Sequence, residues 1–445
     1  MKKTNLSISA ILLLVMGIVI TLNSCKKDDD DNTDVVVGGN DTLSGNITTS
    51  RTLTANKVWY LNGSVYVKDG AILTIEAGTL IKGIKESTRP ALIVERGAKI
   101  MAVGTKEKPI VFTSNQAVGK RANGDWGGII ICGKAKINST SGEAEIEGGV
   151  GVKYGGTDDA DNSGKLVYVR IEYPGIPFEP NKEINGLTMG GVGSGTEIDY
   201  VQVSYSGDDS FEWFGGAVNC KHLVAYKGVD DDFDTDYGFT GMIQYGLVVR
   251  DPQLADAAGD SNGFESDNDD KGSTNVPNTK PTFVNISFFG PISADGVTYN
   301  SKFNCGARLR RNSRLNVFNS IFAGFPKGIR IEESASQAAA TSGELKVNNC
   351  ILAGNVKNHY AAYDSTYIAN AANNIRAVGK MTDLKITDAY NSTTPNFLPM
   401  TGSPALTGAA TGLNAFFKAE TFVGGFGTED WTAGWANFDP QNKTY

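Results

Sequence analysis

Seven segments of this chain share one phrase, and that phrase limits the fold more than any other feature. LVYVRIEYPG, IDYVQVSYSG, NCKHLVAYKG, IQYGLVVRD, FVNISFFG, LNVFNSIFAG and LKVNNCILAG alternate apolar and polar residues and close at or near a glycine. Two positions before the close stand Tyr173, Tyr205, Tyr226, Val249, Phe288, Phe322 and Leu352. Two positions earlier stand Ile171, Val203, Val224, Leu247, Ile286, Ser320 and Cys350. Side chains alternate faces along a strand, so both sets lie on one face. They recur every 21 to 39 residues, a spacing at which strands stack like on like. One coil cannot bury that face alone, whereas stacked coils share a continuous core. The pattern predicts an all-β solenoid whose uneven spacing is taken up in loops. Hairpin architectures are disfavoured, because two-residue Asn-Gly or Asp-Gly loops between alternating runs are scarce.

The ends read differently. Lys2 and Lys3 precede an apolar run from Ile8 to Leu22, shorter than a membrane span and placed as a leader would be. It closes in Leu22-Asn23-Ser24-Cys25, which resembles a bacterial lipobox and implies cleavage before Cys25 and lipidation of that residue. Lys26-Lys27 and Asp28 to Asp31 follow, a run that resembles the surface-export signal of Bacteroidota lipoproteins. Residues 1–24 are therefore read as a signal peptide and 25–48 as a lipidated, disordered tether. Residues 49–360 are read as the solenoid, and 361–445 as an irregular last coil with a C-terminal cap. No amphipathic helix is expected before about residue 367. Trp431, Trp435 and Phe438 are the expected lid over the open end of the core, since an uncapped solenoid exposes strand edges. The implied location is the outer membrane, held by acyl chains and facing the exterior, with no transmembrane helix.

LTIEAGTLIKG, AVGTKEKPIVFTS, DWGGIIICGKAKI, NFLPMTGSPAL and the closing FGTEDWTAGWANFDPQNKTY resemble a family of Bacteroidota surface lipoproteins. Those proteins are built on a right-handed parallel β-helix similar to that of pectate lyases. The resemblance implies fold and location. It leaves function open, because the same fold hosts lyases, hydrolases, adhesins and phage tailspikes.

Charge singles out one stretch. From Gly207 to Asp270 there are fifteen Asp and Glu against Lys221, Lys227 and Arg250, a net of −12 in a chain whose total is −8. The phrases FEWF, FDTD and FESD repeat within it, with Phe211, Phe233 and Phe264 marking the register. With those rings inward, the next residue points outward. Glu212, Asp234, Glu265, Arg308 and Arg330 then form one outward column, and Phe214, Asp236, Asp267, Arg310 and Glu332 a second. Coils lie about 4.8 Å apart. Two like charges about 5 Å apart cost about 3 kcal/mol at an effective dielectric of 20, so a walled ladder calls for a cation or shared protons. Hard oxygen donors suit Ca²⁺, with Asp208, Asp209, Asp230, Asp231, Asp232, Asp234, Glu265 and Asp267 as candidate ligands. No EF-hand loop fits, since counting from Asp230 puts Thr235 where glycine is required.

Three functions compete on these residues. The first is binding of an extracellular ligand, a glycan, at the acidic face, with Trp213 and Phe214 as rings that stack on sugar. Its contact residues would be Glu212, Asp234, Asp236, Glu265 and Asp267. The second is a Ca²⁺-dependent polysaccharide lyase. Pectate-lyase-like enzymes abstract a proton with Arg or Lys, and Arg308, Arg310 and Arg330 fill that role by analogy. A glycosidase would need paired acids such as Asp208/Asp209 or Asp230/Asp231, and the Gly-His-Gly phrase of polygalacturonases is absent. The third is an accessory lipoprotein that docks on an outer-membrane transporter. The acidic balance argues against nucleic acid. Lys302, Arg308, Arg310, Arg311 and Arg314 form a basic patch that neutralises the ladder or receives an anion. Cys132, Cys220, Cys305 and Cys350 lack metal-binding spacing and read as reduced core residues. His222 and His359 read as structural or surface residues.

Overall fold

The computed structural model describes residues 41–176 and 183–445. The signal peptide, Cys25 and most of the proposed tether lie outside the described residues. Three parallel sheets wind around one core. The first stacks Arg51–Leu53, Ile72–Ile75, Lys99–Val103 and the leading halves of five long strands: Gly164–Glu172, Glu197–Ser204, Asn219–Tyr226, Met242–Val249 and Thr282–Phe289. The second takes the trailing halves of those strands and continues through Ile321–Ala323, Ile351–Ala353 and Arg376–Val378. The third runs through Ala91–Val94, Ile129–Cys132, Leu187–Val192, Phe211–Gly216, Phe233–Asp236, Phe264–Ser266, Cys305–Leu309, Lys327–Ile331 and Lys357–His359. This is the predicted parallel β-helix. Its first coil starts earlier than residue 49, because Thr42–Ile47 is already a strand paired with Val58–Val67.

The corner between the first two sheets explains an error of register. Tyr168, Tyr200, His222, Tyr245, Asn285, Asn319 and Asn349 occupy successive coils at one position, each left-handed with φ between 50° and 65°. A left-handed residue costs about 1–2 kcal/mol without glycine, and stacking of the rings offsets it. Ring centroids are 4.3 Å apart for Tyr168–Tyr200, 4.1 Å for Tyr200–His222 and 4.8 Å for His222–Tyr245, all within 14° of parallel. The kink breaks the alternation within each strand, and the closing glycines sit in turns beyond the ladder. Alignment on those glycines therefore slips. The true inward column is Ile171, Val203, Ala225, Val248, Phe288, Phe322 and Leu352. A slip of one residue reverses the face, so Val224, Tyr226, Leu247 and Val249 point outward.

Those outward residues need a cover, and the C-terminal segment supplies it. Val224, Leu247, Val249, Phe289, Ile321 and Ile351 pack outside the second sheet against Phe397, Val423, Phe426, Trp431 and Trp435. The tail is thus a strap laid along the flank, and not the lid expected of Trp431, Trp435 and Phe438. Side-chain amides dock its backbone coil by coil. Asn319 meets Ala410, Gln244 meets Lys418, Asn285 meets Phe422 and Gly424, and Gln202 meets Asn437, with distances of 2.6–3.2 Å. Its end reaches Arg121, whose Nη1 donates to the carbonyls of Pro440 and Lys443 at 2.9 Å. Helices close the end of the core instead. Helix α1 (Glu333–Ser342) precedes the region where a helix was expected, and α2 (Ala362–Ala369) places Tyr367 in the core.

The acidic groove

Inside the solenoid, Phe211, Phe233 and Phe264 stack as their spacing predicts, with centroids 5.6 and 5.7 Å apart. Their outward neighbours superpose in turn. The outer column of the third sheet reads Ile93, Ile130, Thr188, Glu212, Asp234, Glu265, Arg308 and Arg330. It passes from apolar to acidic to basic along the axis. Phe214 and Asp236 pair in the second column. The face is only partly open to water, with Asp208, Asp230, Asp234 and Asp236 half-buried and the others nearly closed off. Glu212 is 6 % exposed, Glu265 9 % and Asp267 5 %. The excursion between Cys132 and Gly164 folds over the apolar end of this column. Ile137, Ile146, Val150 and Tyr154 from it cover Ile93, Ile130 and Phe214 and build one wall of the groove.

A second set of acids lines the turn before each strand. Asp209 Oδ1 accepts the Asp231 N–H at 2.8 Å, Asp231 Oδ1 accepts the Asn262 N–H, and Asn262 Oδ1 accepts the Cys305 N–H at 3.1 Å. Each side chain thereby ties its coil to the next, which is a structural duty for Asp209 and Asp231. Asp208, Asp209 and Asp230 converge so that one oxygen from each lies within 4.8 Å of the others, and Asp209, Glu212 and Asp234 do the same. Oδ1 of Asp230 and Oδ1 of Asp234 are buried without a hydrogen bond.

Arginines divide the groove into two halves. Arg308 pairs with Glu265, Asp260 and Glu332 at 3.2–3.7 Å. Arg310 pairs with Glu265 and, at 2.9 Å, with Asp267, which Arg311 also reaches at 2.8 Å. Arg330 pairs with Glu332 and lies over the Tyr360 ring. Arg314 pairs with Glu344. The basic patch therefore neutralises the lower acids, and Glu265 and Asp267 are spent on it. Asp232 is likewise spent. Its carboxylate and the Arg250 guanidinium are both fully enclosed, 3.1 Å apart, and Arg250 Nη2 also donates to the carbonyls of Val229 and Asp230. Among the described residues no Lys or Arg side chain pairs with Asp208, Asp209, Glu212, Asp230 or Asp234, so the upper half keeps its charge problem.

Proton affinities follow that division. Burial drives Asp208, Asp209, Glu212, Asp230, Asp231 and Asp234 well above the ordinary carboxylate range, and repulsion among them adds to it. Burial lifts Asp232 only to about 7, because Arg250 opposes the shift. Glu265 is lifted to about 8 by burial, with Arg310 opposing. The neighbouring acids hold Arg310 more firmly protonated than a free guanidinium, which works against a base at that position. Glu147, from the wall excursion, is pushed up to about 7 by burial and then by Glu183. Glu147 belongs to the acidic set, although no pattern in its own stretch marked it. Asn185, whose side chain donates to Glu212, is a further contact that spacing did not reveal.

Two proposed sugar-stacking rings are not available. Trp213 is wholly buried, stacked on Phe239 and Phe211 inside the core. Phe214 is 3 % exposed beneath Tyr154 and Tyr237. Parity accounts for Trp213, and the wall excursion for Phe214. Cys132, Cys220, Cys305 and Cys350 are free and buried, as read from sequence.

Three parallel sheets around one aromatic-rich core, with a column of acidic and basic side chains on the outer face of one of them, define a right-handed parallel β-helix protein. The chain belongs to the pectate-lyase-like β-helix domain family, whose model it matches over residues 45–436. No curated protein and no solved structure matches it.

Proposed function

We propose that the protein is a lipid-anchored surface β-helix that holds Ca²⁺ in the upper half of this groove and through it binds an extracellular polysaccharide. The supporting observation is the group Asp208, Asp209, Glu212, Asp230 and Asp234, none of whose side chains pairs with a Lys or Arg among the described residues, with oxygens of each triad within 4.8 Å. The donors are all hard carboxylate oxygens, which suits Ca²⁺ over thiophilic metals. Five carboxylates exceed the charge of one divalent ion by three, so protons or a cationic partner complete the neutralisation. A bound ion with open coordination positions would accept hydroxyl or carboxylate oxygens from a glycan. The acyl anchor at Cys25 rests on the Leu22–Cys25 phrase, and the outward-facing location on the charged run from Lys26 to Asp31 that follows it.

Calorimetric titration of the EDTA-stripped protein with Ca²⁺, followed by acidic polysaccharide, tests this reading. Saturable heat with Ca²⁺, and polysaccharide binding only in its presence, supports it. The absence of both Ca²⁺ heat and a thermal shift sinks it. Absorbance from unsaturated uronide would reveal a lyase. Co-purification with a transporter unaffected by Asp234→Asn would favour the accessory role.

A further inference from the structure

A second site lies on a different flank, where the strap crosses the aromatic corner. A cavity of about 350 Å³ opens there, walled on the solenoid by Tyr200, His222 and Tyr245 and on the strap by Lys418, Glu420 and Trp431. His222 is held from every side but one. Tyr200 stacks on one face of its ring and Tyr245 on the other, Trp431 meets it edge-on, and Nδ1 hydrogen-bonds Asp199 Oδ1 at 2.8 Å. Nε2 has no hydrogen-bond partner among the described residues and is not sealed from the cavity. The ring is thus fixed on both faces and at Nδ1, while Nε2 stays accessible to a ligand's polar group. Glu420 repeats the arrangement. The Tyr245 hydroxyl at 2.7 Å and the Lys418 amine at 2.8 Å both fall on Oε1, leaving Oε2 open.

We infer that this cavity binds a neutral pyranose-sized sugar, with His222 and Glu420 as acceptors for its hydroxyls. In the tautomer whose Nδ1–H donates to Asp199, Nε2 is the ring's acceptor. Lys221 and Lys418 also line the cavity, and the Lys418 amine, held 2.8 Å from Glu420 Oε1, brings donors beside the open Oε2, so both polarities of a hydroxyl are met. Opposite charges on Lys221, Lys418, Glu420 and Glu429 leave the lining without net charge, which disfavours an ionic ligand. The volume is in the range of small-ligand pockets. Affinity per atom for a ligand of this size in a half-open site places dissociation in the millimolar range. The site shares no residue with the acidic groove and does not depend on Ca²⁺.

The chain has two histidines, so a His359→Asn protein carries one set of imidazole signals, those of His222. In EDTA, titration of that protein with glucose, galactose, mannose and N-acetylglucosamine should shift the His222 resonances saturably with at least one of them. Saturation transfer observed on the sugar should then weaken about tenfold in His222→Phe, which preserves the ring stack, and in Glu420→Gln. No saturable shift at tens of millimolar of any of the four overturns the inference. Sugar binding unchanged by both substitutions overturns it too. Binding that appears only with Ca²⁺ assigns the sugar to the groove and refutes the second site, whatever becomes of the first.

Discussion

Asp209→Asn is the most informative single change, because Asp209 belongs to both acid triads. The amide keeps the size of the carboxylate and keeps Oδ1 for the Asp231 N–H. What it removes is charge. One ionised neighbour no farther than 4.8 Å away costs at least about 3.5 kcal/mol at an effective dielectric of 20. If Asp209 escapes that repulsion by keeping a proton, the folded state loses about 1.4 kcal/mol for each pH unit over which the unfolded chain has already ionised. The folded-state carboxyls titrate above their unfolded values, so the cation-free protein binds more protons folded than unfolded across this window. Its stability is therefore full at about pH 4 and falls as pH rises toward 8. In EDTA at pH 8 the variant should be more stable by about 3 kcal/mol, or roughly 4 °C in melting temperature for a solenoid of this length. At pH 4 the difference should vanish. Ca²⁺ at a hundred times its dissociation constant adds about 2.7 kcal/mol to the wild type, and a tenfold loss of affinity cuts that to about 1.4 kcal/mol in the variant. Melting curves at both pH values, with and without Ca²⁺, read all four quantities. A variant less stable than wild type in EDTA at pH 8, or equally stabilised at both pH values, would refute the idea that these acids repel one another.

Three further outcomes follow from the packing. Arg250→Met should destabilise by about 3–5 kcal/mol because it strands the enclosed Asp232; Arg250→Met with Asp232→Asn should recover part of the loss in denaturant titration, and no recovery would remove the pair from the account. Trp435→Ala should cost about 3–5 kcal/mol and raise dye binding to exposed apolar surface, since Trp435 seals the strap against Tyr168 and Tyr200. Burial pushes the Cys132, Cys305 and Cys350 thiols up to about 12, so none should react with a thiol reagent at pH 8 in the native protein and all should in denaturant.

The repeated Phe-acid phrase was legible because it lies on one short, unkinked strand per coil. There Phe211, Phe233 and Phe264 carry the register with no intervening irregularity, and the whole outward column from Glu212 to Arg330 follows from it. The long strands were less legible. Tyr200, His222 and Tyr245 give no local sign of left-handed backbone, since such residues usually are Gly or Asn. Apolar residues on both faces, such as Val224 beside Ala225, then left parity undetermined. The burial of Glu212 was hidden for another reason. Its wall comes from Ile146 and Tyr154, more than fifty residues upstream in an excursion that has no strand repeat of its own. Pairing of Arg308 and Arg310 with Glu265 and Asp267 was half visible, as a basic patch one coil beyond the acids. The strap was not visible at all, because the amides that hold it (Gln202, Gln244, Asn285 and Asn319) read as ordinary polar positions.

A stack of coils normally unravels from its terminus one rung at a time, since each rung is tied only to its neighbours. Here the final residues are fastened near the other end. The Tyr445 hydroxyl donates to Glu172, and Arg121 grips the Pro440 and Lys443 carbonyls. Peeling the last rung therefore requires releasing contacts that reach rungs made some three hundred residues earlier. The molecule should behave less like a zipper than like a parcel tied with its own string, losing its shape in one step or not at all.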